Sequence, residues 1–297
     1  MTENIVLALG GGGVRGIAHL GAIECLLEND YNIGGIAGTS AGGLFGAPIA
    51  AQVPPREILQ VVIDFMKSPS FRRESSDTAS LAGTGGLETA LAPFLEGKTF
   101  EDLAIKLCVT AVSLKTGEKV VISEGNVMDA VLATIAIPGF FPTRGDDDLV
   151  DGGVIDPIPI ESARALNPSL PVVAVTLHDR PADYSPEESS FSTGEQISEA
   201  IIDRLTKTRI GESLKNLNIA VSMSMDRLTE LGIEIGKPDV VVRPLVGQYL
   251  ALQMVDPIEL FEEGYRAMES QLPALVDSLS LVNSIRRIAR YSTAEPD

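Results

Sequence analysis

The first 52 residues alternate apolar runs with glycine-rich turns, and this pattern limits the fold more than any other feature of the chain. Residues 4–9 form a continuous apolar run typical of a buried parallel strand. A glycine-rich loop follows, and then residues 17–29 repeat apolar side chains with helical spacing. Residues 31–37 indicate a second strand, and residues 41–52 are small, apolar and compatible with a helix. This β-loop-α-β-turn-α order predicts an α/β fold with helices on the faces of a sheet.

A serine stands at the turn between the second strand and the second helix, within Gly38-Thr39-Ser40-Ala41-Gly42. A side chain at such a strand-to-helix turn projects from a tight bend, and Gly38 and Gly42 let neighbouring backbone approach closely. The N-terminus of the following helix favours negative charge that develops beside Ser40. Ser40 is therefore a candidate nucleophile, although the short motif alone also fits a plain Gly/Ser turn.

The glycine loop Gly11-x-Gly13-x-x-Gly16 admits two interpretations. A dinucleotide-binding loop needs an acidic residue near the end of the next strand, whereas Glu28 and Asp30 come before that strand. The same glycines can form an oxyanion hole, because successive backbone N–H groups at a helix N-terminus can donate to one oxygen. We expect Arg15 to brace this loop.

Asp151 is the third candidate group. It ends a short strand that includes Val150, and Gly152-Gly153 follows it. A carboxylate at a strand end with open backbone beside it suits a base that must reach another side chain. An ordinary Asp-Gly turn is the alternative.

The chain contains two histidines, His19 and His178. His19 falls one turn into the first helix, where we expect it to support the glycine loop. His178 ends the strand predicted at 171–177, so the order Ser40, Asp151, His178 also matches an α/β-hydrolase triad. The residues alone leave that triad open as an alternative.

Bulk properties exclude several classes of function. The net charge of −18 and the pI near 4.5 argue against a broad basic surface for nucleic acid. The sequence has no run of 18 apolar residues and begins without a secretory signal pattern, so we expect a cytoplasmic location. Cys25 and Cys108 lie in apolar runs and are expected to be buried thiols. No cluster of ligating residues has metal-site spacing, so no metal is expected.

We predict one large domain over 1–270, followed by a C-terminal helical tail over 271–297 that packs on it or extends from it. Residues 195–215 and 256–290 are predicted to be helical, the latter interrupted at Pro273. Residues 279–290 carry arginines among apolar positions. This basic amphipathic stretch suits peripheral contact with a membrane, and a helix docked on the protein surface is the alternative.

Taken together, the three motifs resemble those of the patatin-like phospholipase family, and most of all the small bacterial members related to neuropathy target esterase. The resembling segments are Gly11-Gly12-Gly13-Val14-Arg15-Gly16, Gly38-Thr39-Ser40-Ala41-Gly42 and Asp151-Gly152-Gly153, supported by 136–142 and 157–159. The resemblance covers roughly residues 1–245. The chain departs from the family at Asp156, where members often carry Asn.

The resemblance implies a three-layer patatin-like fold with a mostly parallel central sheet and helices on both faces. It also implies a Ser40–Asp151 dyad without histidine and an oxyanion hole formed by Gly11, Gly12 and Gly13. The implied reaction is hydrolysis of phospholipid or lysophospholipid acyl esters through an acyl-enzyme, without a cofactor. The alternatives are the triad with His178, a nucleotide-binding oxidoreductase that uses Gly11–Gly16, and a scaffold protein on a degenerate hydrolase fold.

Three segments are candidates for contact with an acyl chain. Residues 44–66 and 138–142 are apolar and could line a groove, or they could be ordinary core. Residues 68–86 combine Phe71 with neighbouring arginines and could form a lid or a surface loop.

Overall fold

The computed structural model of the protein describes residues 3–67, 84–178, 209–251 and 253–280, and it confirms the predicted α/β architecture. Within these residues seven strands form one sheet: β1 (Glu3–Leu9), β2 (Tyr31–Thr39), β3 (Leu107–Ser113), β4 (Lys119–Ile122), β5 (Leu149–Asp151), β6 (Val172–Val175) and β7 (Val240–Val242). The strand order is β4-β3-β2-β1-β6-β7. The neighbouring pairs β3–β2, β2–β1, β1–β6 and β6–β7 are parallel, whereas β4 and β5 each run antiparallel to β3.

Helices cover both faces of this sheet. They are α1 (Ile17–Glu28), α2 (Ala41–Ala50), α3 (Pro55–Lys67), α4 (Gly85–Leu95), α5 (Val127–Thr134), α6 (Ile160–Leu166), α7 (Arg209–Gly236) and α8 (Pro257–Ser278). The alternation of side chains along β1 creates two cores. Ile5, Leu7 and Leu9 join the larger core with α1–α5 and α8, and Val6 and Ala8 join the smaller one with α6 and α7.

Helices α1 and α8 cross at very short range. A Cβ added to Gly21 would lie 1.8 Å from the Phe261 carbonyl oxygen, and one added to Gly264 would lie 1.8 Å from the Ala18 carbonyl oxygen. The crossing therefore tolerates only glycine at these two positions. It attaches the C-terminal part of the described chain to the helix that follows the glycine loop.

The prediction of an interruption at Pro273 is wrong, because α8 continues through this residue from Pro257 to Ser278. Asp256 caps the helix by accepting the N–H of Ile258. Pro273 removes the donor to the carbonyl four residues earlier, at Glu269, and both residues are exposed on the surface of the helix. The domain boundary predicted after residue 270 falls inside this continuous helix.

Three predicted segments are only partly described. Helix α7 is described from Arg209 to Gly236, 21 residues beyond the predicted end at 215, whereas 195–208 lie outside the described residues. Of the segment 68–86, Gly85 and Gly86 already belong to α4, and 68–83 lie outside the described residues. Most of the basic stretch at 279–290 also lies outside them.

Candidate active site

Ser40 occupies a strained turn between β2 and α2. Its backbone has φ 53° and ψ −120°, which is outside the regions that non-glycine residues normally adopt. Such a conformation costs on the order of 1–3 kcal/mol and persists only where the surroundings enforce it. The elbow geometry predicted from the sequence is present.

Strand β3 brings Asp151 to this serine. β2 pairs with residues 107–110 of β3, and its last pair is Thr39 with Thr110. β4 pairs along the other edge of β3, so β5 pairs along the same edge as β2, beyond the point where β2 ends. There Asp151 pairs with Ala111, the residue after Thr110. Residues 40 and 151 are therefore brought together where β2 and β5 end against β3.

Ser40 and Asp151 are hydrogen-bonded. Ser40 Oγ donates to Asp151 Oδ2 at 2.5 Å, while Asp151 Oδ1 accepts the N–H of Gly153 at 2.8 Å. Both side chains are buried. Burial raises the pKa of Asp151 to about 6, although the hydrogen bonds from Ser40 and Gly153 oppose this rise. The carboxylate is thus a stronger base than an exposed aspartate and is still ionised at neutral pH.

The glycine loop lies against Ser40. A Cβ at Gly11 would be 3.2 Å from Ser40 Cβ, so a side chain there would crowd the serine. The Gly11 N–H already donates to the Pro157 carbonyl at 2.9 Å, which occupies one of the three donors predicted for the oxyanion hole. In contrast, neither the Gly12 nor the Gly13 N–H donates to another described residue. These two remain the available donors.

Two polar side chains hold this loop. Arg15 Nε donates to the Gly12 carbonyl at 3.1 Å, as expected for a residue that braces the loop. His19 Nε2 lies 2.8 Å from the Gly10 carbonyl oxygen and must donate, because that oxygen can only accept. Burial lowers the pKa of His19 to about 4, so the ring is neutral. Both residues support the loop as the sequence suggested.

The remaining motif glycines permit close backbone contacts around the elbow. A Cβ at Gly42 would lie 2.0 Å from the Leu9 carbonyl oxygen, so α2 can approach the end of β1 only without a side chain there. Gly38 faces the backbone of residues 42–43 in the same way, and Gly16 faces Ala41. These positions keep β1, the glycine loop and α2 packed around Ser40.

Asp156, in the segment after Asp151, has a cationic partner. Its Oδ2 pairs with Lys119 Nζ at 3.1 Å, and its backbone N–H donates to the Gly152 carbonyl. Burial raises the pKa of Asp156, and Lys119 opposes that rise. Lys119 on β4 therefore compensates for the carboxylate at this position.

His178 does not stand between Ser40 and Asp151. Its Nδ1 lies 2.8 Å from Asp226 Oδ1 on α7, and its side chain is only 4% exposed. Ser40 donates directly to Asp151, which leaves the relay position of a triad filled by the aspartate itself. The geometry therefore favours the dyad over the alternative triad.

Several residues around the site were not predicted from the sequence. Thr39, Thr110 and Thr134 are completely buried beside the elbow, and the Ala251 carbonyl accepts the N–H of Val14 at 2.7 Å. Thr110 and Thr134 left a signal, because each is a hydroxyl between two apolar residues of the sequence. Ala251 left none, since it contributes a backbone carbonyl from a turn.

The cysteines Cys25 and Cys108 are free and buried, as expected.

The two apolar segments considered for an acyl groove differ in burial. Most of 45–50 belongs to the core, whereas Phe140 and Phe141 are half-buried and stack edge to face, with their ring centroids 5.0 Å apart. A cavity of about 390 Å³ between α7, β7 and α8, lined by Arg243 and Gln271 among others, shares no lining residue with the Ser40 site.

Within the described ranges, no group of three or more His, Cys, Asp or Glu side chains is arranged to hold a metal. The helices in this part of the chain likewise include none with the length and apolarity needed to cross a membrane.

Comparison with known proteins gives consistent matches. An uncharacterized NTE family protein of Mycobacterium tuberculosis is 30% identical over 213 residues, which are 67% of this chain and 56% of that protein. Patatin-like phospholipase domain-containing protein 7 of Mus musculus is 26% identical over 187 residues, 59% of this chain and 14% of that protein. The crystal structure of VipD from Legionella pneumophila aligns over 93% of this chain and 67% of that one, with a TM-score of 0.49 and 14% identity.

The matches with curated relatives thus span about half of the mycobacterial protein and a smaller part of the mouse protein. A sequence model of the patatin-like phospholipases matches residues 7–164, a range that includes the glycine loop, Ser40 and Asp151. That range is more than half of the 297 residues. On this match, the chain belongs to the patatin-like phospholipase family, a family of lipid hydrolases.

Proposed function

We propose that the protein is a serine acyl hydrolase that cleaves fatty-acyl esters of phospholipids or lysophospholipids with a Ser40–Asp151 dyad. The observation that carries this proposal is the 2.5 Å hydrogen bond from Ser40 Oγ to a buried carboxylate whose pKa is raised to about 6. A base with a pKa just below neutral pH is both ionised and basic enough to take the serine proton.

The proposed reaction begins when Asp151 Oδ2 takes the proton of Ser40 as Oγ attacks the acyl carbon. The N–H groups of Gly12 and Gly13 donate to the oxyanion, and the N-terminus of α2 favours the same charge. Collapse of the tetrahedral intermediate expels the lipid alcohol, which receives the proton from Asp151. Water, deprotonated by Asp151, then attacks the acyl-enzyme, and collapse of the second tetrahedral intermediate releases the fatty acid while Asp151 returns the proton to Ser40 Oγ.

Covalent labelling tests this proposal. We expect a fluorophosphonate to modify the wild-type protein at Ser40 and not to modify Ser40→Ala, which should also lose ester hydrolysis. Ser162→Ala, which removes another buried serine on α6, is the matched control and should label normally. Full ester hydrolysis by Ser40→Ala would refute the proposal, and fatty acids released from a lipid panel would identify the substrate.

His178→Ala separates the dyad from the triad. Since His178 pairs with Asp226, we expect its replacement to change ester hydrolysis by less than about tenfold. A loss of several orders of magnitude would restore His178 as the base. The oxidoreductase alternative predicts cofactor binding and indifference to the fluorophosphonate.

We also propose that the protein contacts a membrane peripherally through the basic amphipathic stretch at 279–290, which would bring the site to its lipid substrate. Co-sedimentation with anionic liposomes tests this idea. A chain that ends after Ser280 keeps all of α8 and should bind less than the full chain. Equal binding would dismiss this contact.

A further inference from the structure

Three buried threonines surround the Ser40–Asp151 pair. Thr39 ends β2, Thr110 lies in β3, Thr134 ends α5, and the exposed fraction of each is 0%. A buried hydroxyl without a partner is costly, so the partners that each one has chosen are informative.

Thr134 fixes the backbone of the nucleophile. Its Oγ1 accepts the N–H of Ser40 at 2.9 Å and donates to the Thr110 carbonyl at 2.6 Å. Its methyl group fills the space beside Gly43, where an added Cβ would be 2.7 Å away. Thr134 is therefore locked by packing on one branch, and its hydroxyl holds the strained residue on the other.

The hydrogen positions in the rest of this network follow from its acceptors. Thr39 Oγ1 lies 2.9 Å from the Asp156 carbonyl oxygen, which can only accept, so Thr39 donates its single proton there. Thr110 Oγ1, 2.6 Å from Thr39 Oγ1, must then be the donor to Thr39. Each of the three hydroxyl protons thus has one defined acceptor.

The same network reaches the loop that carries the base. A Cβ on Gly152, the residue after Asp151, would be 2.4 Å from Thr110 Oγ1, so the loop lies flat on Thr110. The Thr39 proton is accepted at Asp156, later in that loop. The three threonines consequently join the backbone of Ser40 to the segment on the C-terminal side of Asp151.

We propose that Thr39, Thr110 and Thr134 are positioning residues that hold Ser40 and Asp151 at reacting distance. They act through the backbone of the elbow and of the Asp151 loop, not through contact with the substrate. The inference rests on the proposed dyad. It predicts that the network affects the rate of nucleophilic attack and leaves substrate affinity unchanged.

Thr134→Val tests the inference, because valine keeps the methyl contact with Gly43 and removes the hydroxyl. A misplacement near 1 Å costs about 100-fold in rate, so we expect kcat to fall by roughly that factor with KM changed less than about twofold. The rate of fluorophosphonate labelling should fall in parallel. Thr134→Ser keeps the hydroxyl and should recover kcat to within about fivefold of wild type.

Thr229→Val is the matched control. Thr229 is also 0% exposed, and its hydroxyl has no hydrogen-bond partner among the described residues, so valine should leave kcat and labelling unchanged. If Thr134→Val does not fold, Thr39→Val supplies the same test at the other end of the network, with the same expected loss of kcat.

Two results would overturn the inference. One is a folded Thr134→Val, or Thr39→Val in its place, that labels at the wild-type rate, and the other is a Thr134→Ser that is as slow as Thr134→Val. Both differ from failure of the proposed function, in which the wild-type protein itself is not labelled at Ser40, and from failure of the dyad, in which His178→Ala loses ester hydrolysis by several orders of magnitude.

Discussion

The elbow and the glycine loop meet at one site, but they differ in whether their polar groups have hydrogen-bond partners within the protein. At the elbow, the Ser40 N–H, the Ser40 hydroxyl and both oxygens of Asp151 have protein partners. In the loop, the N–H groups of Gly12 and Gly13 have none among the described residues. In the proposed mechanism, the nucleophile and base are therefore assembled in advance, whereas the loop keeps N–H donors for a substrate oxygen.

Among the variants of the Ser40–Asp151 pair and the glycine loop, Asp151→Asn should reduce ester hydrolysis most. The amide retains the shape of the carboxylate but cannot take the proton of Ser40, so we expect ester hydrolysis to fall by about 10³-fold or more. Initial rates with a soluble ester measure the loss. Asp147→Asn, which changes an exposed acid in the loop before β5, should be near wild type. Comparable activity in Asp151→Asn would remove the base from the mechanism.

Gly13→Ala should displace the glycine loop and lower kcat. The Gly13 φ is +61°, and an added Cβ would lie 2.1 Å from the Ala251 carbonyl oxygen, so the loop must move and carry its donors away. Loss of one oxyanion donor costs about 10²–10³-fold in kcat. Gly97→Ala has a similar φ of +71° with no atom within 4 Å of the added Cβ, and controls for backbone strain. Equal activity of the two variants would contradict the role of the loop.

Burial of Asp151 should lower the free energy of unfolding at pH values where its carboxyl group is ionised. The pKa of Asp151 is raised from 3.8 to about 6 by burial, so the folded state resists ionisation that the unfolded state allows. The cost appears as pH rises from about 4 to about 6 and then stays near 3 kcal/mol. Asp151→Asn should therefore be more stable than wild type by about that amount at pH 8, and the gain should vanish near pH 3.5.

Urea unfolding of both proteins at the two pH values measures this difference. A gain that is equal at both values would show that ionisation of Asp151 is not its source.

The smallest effect is on the pH profile. Only the ionised form of Asp151 can accept the serine proton, so kcat/KM should fall about tenfold per pH unit below about pH 6. His178→Ala should leave this limb in place if Asp151 is the titrating group. Disappearance of the limb in that variant would assign it to the histidine.

The sequence predicted what depends on local pattern. The strand-turn-helix context of Ser40 and the glycines around it identified the elbow, and the continuous apolar run at 4–9 identified a strand buried on both faces. Pairings across long separations were less accessible. The partner of His178 is Asp226 on a helix whose packing no local pattern fixes, and the use of the Gly11 N–H depends on a carbonyl at Pro157.

That a buried threonine hydroxyl needs a hydrogen-bond partner was predictable, but the identity of that partner was not. Thr110 lies between apolar residues in the buried strand β3, which requires its hydroxyl to find a partner. Its partner Thr39 is 71 residues away, and the pairing follows from the register of β2 on β3. Register across parallel strands is set by tertiary packing, so the sequence alone does not reveal it.

The contact between Val14 and Ala251 has a consequence for how the protein is made. The Val14 N–H binds the Ala251 carbonyl, and Gly264 of α8 locks against the helix that follows the loop. A nascent chain on the ribosome already contains Ser40 after 40 residues and Asp151 after 151, but it lacks these two supports until about residue 264 has emerged. Synthesis from the N-terminus therefore delays completion of the glycine loop until nearly all of the described chain is available.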